Sequence, residues 1–231
     1  IIGRIVSPLA MGEWQIRSGA IVERPRTVGE YPLLSAVYDR HDSLIDRLAV
    51  DDGLMLEVAF GTHPHPNADV AVEAYPENAR EFGGAHVATA DARELPFEDD
   101  AFDVVVGRRF LHHVPAEDRG HVVEEAARVL APDGRLVVLE GTPGLYRRLT
   151  KWVGFRLGLL GEDNDAYGHL TRLELLRLLA EHGFDVVETR PLGSPLLPLA
   201  ILRSPRTAGL VGLYERTQWV RWWTLAVGRT R

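Results

Sequence analysis

Three acidic residues sit at or near the ends of three successive apolar runs: Glu57 within 54–59, Glu73 closing 69–73, and Asp91 just after 86–90. In an open α/β sheet, ligands bind at the carboxyl ends of the strands, where the strand order reverses. The three carboxylates are therefore predicted to meet around one crevice. A carboxylate ending the second strand can accept both hydroxyls of a ribose, and Asp91 is placed to accept from an exocyclic amine of adenine. Gly61, in the turn Ala59-Phe60-Gly61-Thr62-His63, lets the backbone approach a ligand closely because it has no Cβ. The chemistry read from these residues is nucleoside binding.

Other polar residues carry two readings each. His63 and His65 face the same way if the chain is extended, but no third ligand at a recognised spacing accompanies them. They are read as loop histidines, and no metal is expected. His112 and His113 are adjacent, so at most one points into the crevice. His112 is the candidate general base, with packing or capping as the alternative for either ring. Arg108 and Arg109 either bind an anionic substrate group or pair with acidic side chains. Trp219, Trp222 and Trp223 are read as core.

These residues must be positioned by regular elements, and the chain supplies them. Apolar, β-branched runs at 54–59, 69–73, 86–90, 102–107 and 135–140 alternate with helical patterns, as a parallel sheet with crossover helices requires. Val122, Val123, Ala126, Val129 and Leu130 mark a helix that stops before Pro132-Asp133-Gly134. Thr171 with Glu174 three residues on reads as a capping box for a helix closed by Gly183. Strands at 184–189 and 222–227 follow, with an irregular cover at 191–202 between them. At the front, residues 31–48 read as one or two helices. The stretch Pro64-His65-Pro66-Asn67 forbids a regular helix between the first two strands, so the first crossover helix is expected to be reduced to a loop or single turn.

Over roughly residues 54–143 the chain resembles the class I methyltransferase family, in its small-molecule type 11-like group. Leu56-Glu57-Val58-Ala59-Phe60-Gly61-Thr62-His63 resembles the family's strand and glycine loop. Val70-Ala71-Val72-Glu73 resembles its second motif, and the stretch from Ala90 through Asp91 and Ala92 to Phe97 its adenine-binding segment. Phe102 through Val106 to Val114, and Arg128 through Gly134 to Leu136, resemble the fourth strand with its turn and the entry to the fifth. The resemblance implies a Rossmann-like, doubly wound α/β fold: a mostly parallel seven-stranded sheet with helices on both faces. It implies S-adenosylmethionine as cofactor. Gly61 with Ala59, Thr62 and His63 would cradle its methionine part, Glu57 acting on the amino group through water. Glu73 would hold the ribose, and the Asp91 side chain with the Ala92 backbone would hold adenine. Gly107 and Arg108 would lie beneath the sulfonium. Two of the family's usual loop glycines are replaced here, by Ala59 and His63.

The whole-chain properties narrow the function further. With 231 residues and 45% hydrophobic content, one domain with a sizeable core is expected. Residues 1–52 read as an N-terminal helical cover and 53–231 as the methyltransferase domain, with core motifs at 54–143 and cover and last strands at 144–231. Acidic residues outnumber basic ones 33 to 26, and Lys151 is the single lysine, so no nucleic-acid partner is expected. Cysteine is absent, which excludes disulfides and thiolate nucleophiles. The apolar stretches 152–161 and 196–202 are shorter than the ~20 residues of a spanning helix, no signal peptide is read, and a cytoplasmic protein is expected. The predicted function is methyl transfer to a small-molecule acceptor, apolar in character: a quinone, lipid or aromatic metabolite. A nicotinamide oxidoreductase is disfavoured because that fold wants three glycines after the first strand. A non-catalytic binding protein on a degenerate methyltransferase fold is the alternative.

Overall fold

The computed structural model describes residues 30–49, 53–61, 63–82, 86–144, 148–149, 152, 156 and 168–231. Thr62, the first 29 residues and most of the apolar stretch at 152–161 lie outside them.

Seven strands form one sheet: β1 (Met55–Val58), β2 (Val70–Glu73), β3 (Val87–Thr89), β4 (Phe102–Arg108), β5 (Leu130–Gly141), β6 (Phe184–Leu192) and β7 (Trp223–Thr230). Their order is β3-β2-β1-β4-β5-β7-β6. The pairs from β3 to β5 are parallel, and β7 runs antiparallel to both its neighbours. The expected doubly wound, mostly parallel sheet is thus present, with its reversal of order between β1 and β4.

Both faces are covered, because the central strands are apolar on both sides and each face must be buried. On one face Leu56, Val58, Val105 and Leu136 pack against α3 (Arg119–Val129) and α4 (Arg172–Glu181). On the other, Met55, Val104, Val106 and Leu139 meet α1 (Pro32–Asp46) through Leu33, Val37 and Ile45, together with Tyr214, Trp222 and Trp223. Tyr214 belongs to the short α5 (Val211–Arg216). Trp222 and Trp223 are core as read, but Trp219 is 73% exposed and is not.

The helix α4 begins with the anticipated capping box: the Glu174 backbone N–H donates to the Thr171 hydroxyl, and the Glu174 carboxylate accepts from the Thr171 N–H. Gly183 closes the connection to β6 at φ +99°. Residues 31–48 give one helix with Pro32 in its first turn, where a missing N–H costs nothing. Between β1 and β2 the described residues contain only turns, as the Pro-x-Pro stretch requires. A short helix the sequence reading omitted, α2 (Pro76–Phe82), links β2 to β3.

Candidate active site

The carboxyl ends of β1, β2, β4 and β5 flank the reversal point, and the candidate residues gather there in two groups.

The first group lies at the β1 and β2 tips. Glu73 is buried, and its two oxygens are held separately: Gly61 N–H donates to Oε2 at 2.8 Å and Tyr75 N–H to Oε1 at 3.1 Å. Burial pushes its carboxyl above the usual range, against the pull of those backbone donors. Each oxygen keeps acceptor capacity for a hydroxyl. Gly61 has φ +63°, and a Cβ placed there meets nothing within 4 Å, so the turn borders open space. Ala59 takes a left-handed conformation too, at φ +55°, where a side chain is strained.

Glu57 departs from the expectation. Strand alternation puts it on the same face as Met55, toward α1, and it is 0% exposed. Arg108 Nε donates to its Oε1 at 2.7 Å and His65 N–H to its Oε2 at 2.6 Å. Arg108 extends the network to Asp42 Oδ1 at 2.5 Å and to the His63 carbonyl at 2.6 Å. Burial opposes ionisation of Asp42, yet the His63 ring 3.4 Å away and the charge of Arg108 hold its carboxyl below the usual range. Glu57 and Arg108 therefore neutralise one another inside the fold instead of standing open beside a ligand. Arg109 differs from its neighbour: at φ +58° its guanidinium lies 3.6 Å over the Tyr38 ring.

Asp91 and Gly107 also have local occupations. The Asp91 carboxylate accepts from the Arg93 N–H at 2.9 Å and from its guanidinium at 3.0 and 2.8 Å. Burial raises its carboxyl, but these contacts outweigh burial and hold it below the usual range. Ala92 follows, lining a small apolar cavity with Val58, Leu95, Phe110 and Leu111. Gly107 is glycine because the Phe110 ring occupies its side-chain space: a Cβ there would come within 2.3 Å of a ring carbon. The three carboxylates thus end neighbouring strands as read, but only Glu73 borders the open side of the Gly61 turn; Glu57 turns inward and Asp91 is engaged by Arg93.

The second group lies at the β4 and β5 tips. His112, on the 3-10 turn Leu111–His113, places Nδ1 2.9 Å from Glu140 Oε2. Glu140 is buried and oriented by Leu111 N–H on Oε1 at 3.0 Å and Gly141 N–H on Oε2 at 3.2 Å. The His169 ring lies 4.5 Å from that of His112, tilted 39° to it. Glu140 and His169 were missed by sequence reasoning. Glu140 ends an apolar strand just as Glu73 does, which was signal enough; His169 lies between elements and gives none. Beside this group an open groove runs between Thr142, Pro143, Gly144, Thr171, Leu173 and Arg221.

Comparison with known proteins adds the following. Residues 54–138 match the family model described as a methyltransferase domain. A 49-residue stretch, 21% of the chain, is 57% identical to 27-O-demethylrifamycin SV methyltransferase of Amycolatopsis mediterranei, covering 17% of that protein. A 113-residue stretch, 42% of the chain, is 34% identical to demethylmenaquinone methyltransferase of Thermotoga maritima, covering 48% of it. The chain spans less than half the length of these curated relatives. Among solved structures, a SAM-dependent methyltransferase from Thermotoga maritima superposes with a TM-score of 0.61 at 18% identity, covering 88% of this chain and 92% of that one. At that identity the likeness speaks for the fold. No helix among the described residues is long and apolar enough to cross a membrane.

Proposed function

Since residues 54–138 form a class I S-adenosylmethionine-dependent methyltransferase domain, we propose that the chain methylates a hydroxyl-bearing, largely apolar small molecule such as a quinone-derived or aromatic metabolite. That family takes S-adenosylmethionine as its methyl donor, which supplies an electrophilic methyl group on a sulfonium.

The residues present fit this cofactor on one observation: a buried carboxylate, Glu73, is fixed by two backbone donors beside a glycine with open space at its Cβ position. Glu73 would accept from the ribose hydroxyls, and Gly61 would let the chain pass close to the methionine part. Ala59 and His63 would flank that passage, while Asp91 and the Ala92 backbone would contact adenine. Glu57 and Arg108 would act from behind, by fixing the loop through His63 and His65.

His112 is the residue we assign to the acceptor. With Nδ1–H donated to Glu140, its Nε2 carries the lone pair that takes a proton from an acceptor hydroxyl. Glu140 positions the ring and balances the charge that ring gains, as a buried carboxylate does for a catalytic histidine. Beyond this proton transfer, the protein's contribution is alignment of the two reactants. The apolar acceptor is supported by Pro143, Leu173 and Leu176 along the groove beside Glu140, and by the demethylmenaquinone relative.

The reading is tested in two steps: calorimetric titration with S-adenosylhomocysteine, then transfer of a labelled methyl group to hydroxylated aromatic and quinol acceptors. Absence of cofactor binding by the folded chain would sink the proposal. Binding without transfer to any acceptor would favour the non-catalytic alternative.

A further inference from the structure

His112, Glu140 and His169 each bring one ligand-capable atom to within 4.8 Å of the other two. Two imidazoles and one carboxylate are the donor set that zinc and neighbouring divalent transition metals take, with positions left open for water or substrate. Sequence reading sought a metal at His63 and His65 and found none; this set joins a strand end, a turn and a distant loop, so no spacing reveals it.

The three are held together before any ion arrives. Glu140 is fixed by the N–H groups of Leu111 and Gly141. Arg119 ties the two histidine-bearing segments to each other, its Nε donating to the Leu111 and Val114 carbonyls at 3.0 Å and its NH2 to the Gly168 carbonyl at 2.9 Å. His112 and Glu140 are buried and His169 is half-buried. One divalent cation would engage a ring nitrogen of each histidine and a carboxylate oxygen of Glu140. The nearby Arg119 cation opposes a metal electrostatically, but its hydrogen bonds aim it at carbonyls rather than at the triad.

We propose that His112, Glu140 and His169 form a binding site for one divalent transition-metal ion of the zinc class. Binding of the ion does not depend on the methyltransferase reading. It shares His112 and Glu140 with the proposed base, so an occupied site withholds the base, and the proton transfer of the proposed function belongs to the metal-free chain.

The test is calorimetric titration of the untagged, metal-stripped full chain with zinc chloride, repeated with cobalt(II) to read coordination from its visible absorption. Expected are one ion per chain, cobalt bands of a four- or five-coordinate site, and a loss of affinity of at least about tenfold in His169→Gln and in Glu140→Gln. No zinc uptake by the wild type overturns the site. So does unchanged zinc affinity in a His169→Gln chain whose circular dichroism matches the wild type. Titration of the same samples with S-adenosylhomocysteine reports separately on the proposed function.

Discussion

Glu57 and Arg108, on adjacent parallel strands, form an ion pair with almost no solvent contact, and Arg108 spends a further donor on the His63 carbonyl of the loop after β1. Removing one partner of a buried pair leaves the other charge uncompensated, typically at about 3–5 kcal/mol. Arg108→Met is expected to destabilise the chain by that amount in urea unfolding, and Arg108→Met with Glu57→Gln by less. A single variant as stable as the wild type would mean the pair carries no net weight.

Glu73 and Gly61 are expected to matter to the cofactor more than to the fold. Glu73→Ala removes acceptors for two hydroxyls, each worth about 1–3 kcal/mol when lost from a bound complex. The S-adenosylhomocysteine dissociation constant should rise roughly tenfold or more. In Gly61→Ala the new methyl meets no protein atom, so stability falls only by the ~1–2 kcal/mol of left-handed strain, while affinity drops because the methyl enters the ligand's space. Calorimetry and thermal melts on each variant separate the two effects.

Ala59→Gly should relieve strain at φ +55°. Left-handed alanine costs about 1–2 kcal/mol, and glycine gives back part of the gain through unfolded-state entropy. A stabilisation of up to about 1 kcal/mol is expected by thermal denaturation. A marked loss of stability would show that the Ala59 methyl does packing work that outweighs its backbone conformation.

His112→Ala should lower kcat about 10²–10⁴-fold if the ring is the base, with S-adenosylhomocysteine affinity unchanged. Glu140→Gln acts through the ring, so it should lower kcat less and leave KM for the acceptor nearly constant. Loss of cofactor binding in either variant, measured by calorimetry, would count against this division of roles.

His41 predicts an acid-sensitive fold. It is buried on the core side of α1, with Trp223 edge-on at a ring separation of 4.9 Å and the Tyr214 hydroxyl 3.4 Å from Nε2. Burial, aided by Arg109 and Arg108 and opposed by Asp42, pushes its pKa down to about 3 from 6.5. Above pH 6.5 the ring is neutral in both folded and unfolded chains. Below it the unfolded chain takes up a proton that the folded chain refuses, so stability falls as pH drops toward 3, by about 2 kcal/mol at pH 5. Replacing the ring in His41→Phe should flatten the melting temperature between pH 7 and 5; an unchanged slope would assign the effect to another group.

The sheet was legible because its strands are apolar runs dense in Val, Leu and Ala, and the Thr171–Glu174 cap because two side chains and two N–H groups define it. Glu73 was legible as a strand-end carboxylate. The inward turn of Glu57 was not, since strand alternation says only that it opposes Leu56 and Val58, and α1 had first to be placed on that side. Gly107 read as a ligand contact because nothing in sequence tells that Phe110, three residues on, folds back over it. His169 became a site residue only when Arg119 drew Gly168 to the turn after β4.

A parallel β1–β2 pair is ordinarily joined through a crossover helix, but this chain hangs a short loop on α1 instead. Asp42 reaches His63 at 3.4 Å, and Asp46 meets Asn67 at 3.1 Å and His65 at 3.6 Å. The first helix is therefore a bracket for the loop that borders the Gly61 turn, and a chain trimmed of α1 would keep its strands while losing the shape of that loop.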